Sequence, residues 1–414
     1  MNAPAPTQPD TPAPTRLMSL DVFRGATIAA MILVNNPGNW NAIYAPLDHA
    51  EWHGWTFTDL IFPFFIWIVG VAIPLSTARR LEQGQSRNEL LFHALRRSAI
   101  IFALGFFLNS FSVLLNSSLW RDGFSGWLHA YATTVRVPGV LQRIAICYFI
   151  ATLIYLNAGI RGQVIWIAGL LSGYWLLMIV GPLLGCGTGG LEQHGNFCEY
   201  MDNLVLNGKL IGTHVWSGGK TWDPEGVFST VPAIATCLFG IMTGHMLRSK
   251  QTPETRTAWL FVVGNLLLFA GVVMDAWLPI NKKLWTSSYS VFMSGMAMNC
   301  FAVSYWLVDV QGWRKWAKPF AVYGMNAIAV FMLAGLLGRI LPAIKVMSAT
   351  GKKVGLQGYL YENLFVPFAS PDTAPVFGFL ASPKNASLMW ALMYVAALYL
   401  VAYAMYRRKW FLKF

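Results

Sequence analysis

Between Asn35 and Phe65 the chain reads NNPGNWNAIYAPLDHAEWHGWTFTDLIFPFF. Two histidines, His49 and His53, and three carboxylates, Asp48, Glu51 and Asp59, fall within twelve residues of it. A carboxylate beside an imidazole can orient the ring and tune its charge, which is the equipment of proton transfer. The competing reading is an interfacial loop with solvated histidines, whose Trp40, Tyr44, Trp52 and Trp55 form an aromatic belt. A zinc site on His49 and His53, four residues apart, is disfavoured, because Pro46 and Gly54 argue against a regular helix and no thiolate is near. No metal is therefore expected.

Two further places put ionisable groups in apolar surroundings. In SLDVFRGATIAAMILVNN, Asp21 and Arg24 stand three apart, on one helical face. They read either as a local ion pair or as a site where Arg24 meets an anionic ligand. In VRVPGVLQRIAICYF, Arg136 stands at the edge of an apolar run, with Gln142 and Arg143 about one turn inside it. Arg143 is expected either to pair with Asp59 or Asp275 or to bind a phosphate or carboxylate in a cavity. Asp223–Gly226 (DPEG) and Asn281–Trp285 (NKKLW) are short polar runs that abut apolar ones in the same way.

The elements that must carry these groups follow from composition. Of 414 residues, 56% are hydrophobic and 12% charged, against roughly 25% charged in a soluble domain. Mean hydropathy is +0.49, so a lipid bilayer is the expected surroundings. The net charge of +12 is accounted for by where the charges sit, and nucleic acid is not an expected partner. Ten apolar stretches are long enough to cross a bilayer as helices: Leu17–Asn35, Phe57–Ala78, Ser98–Leu115, Val137–Leu156, Gln163–Leu184, Val227–Leu247, Thr257–Trp277, Trp285–Val308, Pro319–Leu341 and Leu388–Tyr406. With the N-terminus inside, the inner segments hold 17 Lys and Arg and the outer ones 11, counting Arg339 at the outer end of the ninth stretch. This asymmetry predicts both termini in the cytoplasm. The expected fold is an all-α polytopic membrane protein with two long extracytoplasmic loops, about 185–226 and 342–387. Residues 1–15, rich in Pro, Ala and Thr, read as a disordered cytoplasmic tail and not as a signal peptide, and 16–414 as one transmembrane domain.

Cys147, Cys237 and Cys300 fall in apolar stretches and are expected to pack as small apolar residues. Cys186 and Cys198 share the first long outer loop, where either a disulfide or two free thiols fits an oxidising compartment. Walker A, dinucleotide-glycine, CxxC and GxSxG patterns are absent.

The segments SLDVFRG, DHAEWHGWTFTDLIFPFFIWIVGVAI, VRVPGVLQRIAICYF, DPEGVFSTVPAIATCLFG, NKKLWTSSY and VYGMNAIAVF follow one another from about Leu17 to Phe331. As a set they resemble the transmembrane domain of the heparan-α-glucosaminide N-acetyltransferase family. The resemblance implies transfer of an acetyl group from cytoplasmic acetyl-CoA to the amine of an extracytoplasmic glucosamine-type sugar. By its His-Ala-x-Trp-x-Gly segment it assigns the active histidine to His49, general base or transient acetyl carrier, and leaves His53 secondary. It also assigns a functional asparagine to Asn35 and a functional aspartate to Asp59. With the inner basic groups, it points to Arg24, Arg97 and Arg143 as the residues that hold the donor, while Arg96 stands on the same side. Asp59 or Asp48 is expected to fix the imidazole tautomer and Asn35 to donate to the oxyanion. A multi-pass protein of a bacterial inner membrane and a homodimer are further expectations. The alternative is a transporter for an amino sugar, sugar acid or lipid-linked precursor, with the same polar residues lining its path.

Overall fold

The computed structural model describes residues 17–115, 118–187, 189–208, 212–218, 221–348, 351–369 and 381–412, without the side chains of 118–122. The expected tail at 1–15 lies outside these residues. Fourteen α-helices are present among them: α1 (Met18–Asn35), α2 (Phe57–Glu82), α3 (Arg87–Leu115), α4 (Ser118–Thr134), α5 (Val140–Asn157), α6 (Ile160–Leu183), α7 (Phe197–Leu206), α8 (Thr230–Leu247), α9 (Pro253–Asp275), α10 (Ser287–Tyr305), α11 (Lys318–Met325), α12 (Ala327–Ala343), α13 (Leu356–Leu364) and α14 (Pro383–Arg407). Nine helical stretches among the described residues are long and apolar enough to cross a bilayer. The chain is an all-α polytopic membrane protein.

The ninth expected span is not one helix. α11 and α12 meet at Asn326 with a bend of 80°. Apolar composition continues across the break, so hydropathy alone reads it as continuous. The break is held from outside the pair, since Asn326 Nδ2 donates to the Trp410 carbonyl at 3.0 Å and its Oδ1 accepts from the Leu412 amide at 3.2 Å. α5 begins at Val140 and not at Val137, because Pro138 and an extended Gly139 precede it. α3 begins at Arg87, well before its apolar part, so His93, Arg96 and Arg97 lie on a helix. α4, interrupted at Gly123 (φ +73°), has no counterpart in the expected spans.

Both expected outer loops carry structure. The first contains α7 and a two-residue antiparallel strand pair, Asn207–Gly208 with Gly212–Thr213. The second contains a strand pair, Lys345–Met347 with Lys353–Gly355, and then α13. Cys186 and Cys198 are free thiols, so the disulfide alternative does not hold. Cys198 packs beside Tyr174 Oη at 3.4 Å and Met178 Sδ at 3.7 Å. Burial pushes this thiol up to about 12.

The core is built by close helix contact around large aromatics. A Cβ on Gly70 would lie 1.9 Å from the Cys237 carbonyl oxygen, and one on Gly240 would lie 2.1 Å from that of Trp67. Reciprocal glycines thus let the α2 and α8 backbones touch, the packing that lipid-embedded helices use in place of a hydrophobic drive. Trp67, Trp285, Tyr289 and Phe301 are buried in the same cluster, which fixes the start of α2 and the turn ahead of α10.

Candidate active site

α2 begins with a capping box. Thr56 and Asp59 satisfy each other's orphan helix donors, and Asp59 Oδ2 accepts from the Thr56 amide at 3.1 Å. The same oxygen accepts from the Ala50 amide at 3.0 Å, which pins the His49 loop against the helix end. The other oxygen, Oδ1, lies 2.7 Å from His49 Nδ1. The Asp59 side chain is 1% exposed and that of His49 40%. With Asp59 ionised, this contact places the imidazole proton on Nδ1 and leaves the Nε2 lone pair available. Asp48 accepts instead from the backbone amide of His49, at 2.8 Å. Of the two carboxylates expected to hold the tautomer, Asp59 is therefore the one that meets the ring.

The NKKLW turn docks on this pair from α9–α10. The Gly54 amide donates to the Ile280 carbonyl at 2.7 Å, and Lys282 Nζ lies 3.1 Å from His49 Nδ1, 3.4 Å from His49 Nε2 and 3.4 Å from Asp59 Oδ1. Burial pulls the Lys282 ammonium below the usual lysine range, while Asp59 and Glu225 pull it back. Lys283 turns away to the Glu51 carbonyl and sits 5.7 Å from the centre of the Trp52 ring. His53 Nδ1 meets Asn281 Nδ2 at 3.4 Å and does not reach Asp59.

A second polar cluster joins the start of α5 to the DPEG motif. Arg136 Nε and Nη2 meet Asp223 Oδ2 and Oδ1 at 2.7 and 2.6 Å, and Nη2 also meets Glu225. Glu225 is held below the ordinary glutamate range, because Arg136, Arg143 and Lys282 together outweigh the effect of its burial. Arg143 is 1% exposed. Its Nη2 donates to the Gly226 carbonyl at 3.1 Å and to Ser229 Oγ at 2.5 Å, and the guanidinium lies 5.1 Å from the centre of the Trp285 ring. The expected pairing with Asp59 or Asp275 is not found, since Asp59 is taken by His49 and Lys282 and Asp275 accepts from the Ile280 amide.

Two cavities run along the bundle. One, of about 480 Å³, opens among Arg24, Arg80, His93 and Arg97. The other, of about 490 Å³, is lined by Asn35, Trp40, Asn109, Arg136, Gln142 and Arg339. Met31, Val140, Leu141 and Phe331 line both, so the two cavities lie on either side of a shared apolar wall. Arg24 also holds Asp21 at 3.1 Å, so the two readings of that residue are compatible.

No family model matches the chain. The human protein heparan-alpha-glucosaminide N-acetyltransferase (Homo sapiens) is 29% identical over 365 residues, covering 77% of this chain and 52% of the human protein. The mouse protein of the same name (Mus musculus) is 28% identical over 373 residues, 78% of this chain and 54% of its own length. The chain is similar to both proteins over about three quarters of its length. It spans about half the length of the curated relatives it matches.

In the structure, the sequence-predicted residues separate into three groups. His49 and Asp59 touch. Asn35 is exposed at the same end of the bundle and lines a cavity that His49 does not line. Arg24 and Arg97 share the other cavity, whereas Arg143 lines neither and Arg96 is exposed outside them. Arg80, His93 and Lys282 were not among the predicted site residues. Arg80 and His93 are a helical extension away from the apolar signal, and Lys282 was visible only as a polar run before α10.

Proposed function

We propose that the chain is a transmembrane N-acetyltransferase that takes acetyl-CoA at the Arg24 end and acetylates a glucosamine-type amine at the His49 end. The observation that carries this reading is the pair of neighbouring cavities, one lined by arginines and one by Asn35, that share Met31, Val140, Leu141 and Phe331 in their walls. Acetyl-CoA is a polyanion with a long narrow arm. Arg24, Arg80 and Arg97 would neutralise its phosphates, the arm would pass the apolar side chains shared by the two cavities, and Asn35 lines the cavity where the thioester would emerge.

In the reaction, the amine nitrogen forms a bond to the thioester carbonyl carbon and the carbon–sulfur bond breaks. His49 Nε2 collects the amine proton and returns it to the departing CoA sulfur, so no further reactant is needed. Asp59 holds the tautomer that leaves Nε2 basic, and the Asn35 amide donates to the oxyanion. In the relay version Nε2 itself carries the acetyl group between donor and acceptor, and trapping labelled acetyl-enzyme without acceptor distinguishes the two. The Arg24 end faces the cytoplasm in this reading, with both termini inside, in a bacterial inner membrane and with a homodimer as the working assembly. Arg143 serves by shaping the Gly226–Ser229 turn behind the site.

Two neighbouring cavities also suit the transporter alternative. The purified protein in lipid, given acetyl-CoA and glucosamine, is expected to form N-acetylglucosamine. His49→Ala should lower turnover by about 10² or more while retaining acetyl-CoA binding. Amino-sugar movement across vesicles with no acetyl-CoA-dependent product would overturn the enzyme reading.

A further inference from the structure

Trp285 has φ +52°, a left-handed backbone that a bulky residue adopts only when its surroundings impose it. It is fully buried, its indole donates to Thr236 Oγ1 at 3.1 Å, and its ring packs edge-on against Phe62 and Tyr289 at 5.0 and 5.2 Å. The turn it completes is closed by the Leu284 amide donating to Asn281 Oδ1 at 2.9 Å and the Asn281 amide donating to Thr286 Oγ1 at 3.1 Å. This strained, over-determined turn carries Lys282 to within 3.4 Å of both imidazole nitrogens of His49 and of Asp59 Oδ1.

We propose that Lys282 is a positioning residue of the site: its ammonium is the counter-charge to Asp59 that keeps the Asp59–His49 pair from closing into an ion pair, so that Nε2 stays free to take a proton or an acetyl group. The proposal rests on the acetyltransferase reading above and adds a third member to its machinery. A carboxylate 2.7 Å from an imidazole favours the imidazolium, which can neither accept a proton nor attack a thioester. A cation at 3.1 Å acts in the opposite sense at nearly the same range. The other charged groups facing this point are already engaged. Asp48 accepts the His49 amide, Lys283 turns to the Glu51 carbonyl, Glu225 is gripped by Arg136, and Arg143 lies on Trp285. His53 faces Asn281. Among the described residues, Lys282 is the cation within hydrogen-bond distance of the imidazole.

The test compares wild type, Lys282→Gln and Lys282→Arg, with Lys282→Met as the second neutral variant should the Gln protein fail to fold. The neutral variants should lose turnover on the acid side, with the acid limb of the kcat/KM profile about one pH unit or more higher, about tenfold less activity there, and an alkaline plateau within about threefold of wild type. Lys282→Arg should restore the wild-type limb. A second readout needs no enzyme activity: the pH dependence of carbethoxylation of His49 by diethyl pyrocarbonate, followed by peptide mass spectrometry. Its rate at mildly acid pH should fall about tenfold in the neutral variants. Should wild type acetylate no amino sugar while the carbethoxylation difference persists, the acetyltransferase reading fails and the charge role of Lys282 stands. The same pH dependence of carbethoxylation in all variants overturns the proposal.

Discussion

Arg136 and Asp223 meet through two parallel hydrogen bonds, at 2.7 and 2.6 Å, across 87 residues of chain. Asp223 also accepts from the Trp216 amide at 2.7 Å and the Glu225 amide at 2.9 Å, so one carboxylate closes the DPEG turn as well as holding α5 to it. Burial opposes the Arg136 charge, but Glu225 and Asp223 outweigh it and raise its pKa above the usual arginine range. Removing one partner of a buried pair typically costs about 3–5 kcal/mol, and the part-exposed Arg136 side chain argues for the lower end. Asp223→Ala is therefore expected to cost about 3 kcal/mol, read as a lower melting midpoint in lipid–detergent micelles. A midpoint unchanged from wild type would mean the clamp does not hold the fold.

Asp202 gives the same region a pH dependence. Burial raises its carboxyl to about 7, and the Asp223 charge adds to this, against two backbone hydrogen bonds, from the Asp223 and Val227 amides, that favour the ionised form. Its unfolded value is 3.8. Between those values the folded chain binds a proton that the unfolded chain has released, so stability falls as pH rises from about 4 to about 7 and is flat beyond. At about 1.4 kcal/mol per unit the whole effect is at most on the order of 4 kcal/mol. Melting midpoints taken across this range should decline, and Asp202→Asn should flatten that decline. An equal slope in the variant would assign the dependence to other groups.

What the sequence made legible, and what it did not, divides by range. Apolar runs report bilayer-spanning helices because each is a local average, and nine of the ten expected spans correspond to single helices. The exception, Pro319–Leu341, breaks at Asn326, whose partners Trp410 and Leu412 lie more than eighty residues away. The His49–Asp59 pair was legible as one of two candidates, Asp48 being the other, because all three residues belong to one segment. Lys282, 233 residues from His49, could be read from sequence as a polar residue near a helix start and no more. Arg143 was expected either to pair with Asp59 or Asp275 or to meet an anionic ligand in a cavity; the structure gives it neither carboxylate, and a carbonyl, a hydroxyl and an indole face hold it.

The shared wall of the two cavities predicts that donor capture and acetyl delivery can be damaged separately. Arg97 lines the mouth of the Arg24 cavity, where its guanidinium lies 5.1 Å from the centre of the Tyr148 ring. A hydrogen bond from such a group to a phosphate is worth about 1.5–3 kcal/mol, so Arg97→Ala should raise the KM for acetyl-CoA by about tenfold to a hundredfold. Its turnover at saturating donor should stay near wild type, and Arg96→Ala, outside the cavity, should change neither. Val140 lines both cavities, and Val140→Trp would fill the space between them with Arg24 and Arg97 left in place. This variant should retain phosphate-dependent CoA binding, measured by calorimetry, and lose turnover by about 10² or more, because a misplaced thioester forfeits the proximity on which transfer depends. Equal losses of binding in the two variants would mean that the cavities do not act in series, and that acetyl-CoA reaches the His49 end by another route.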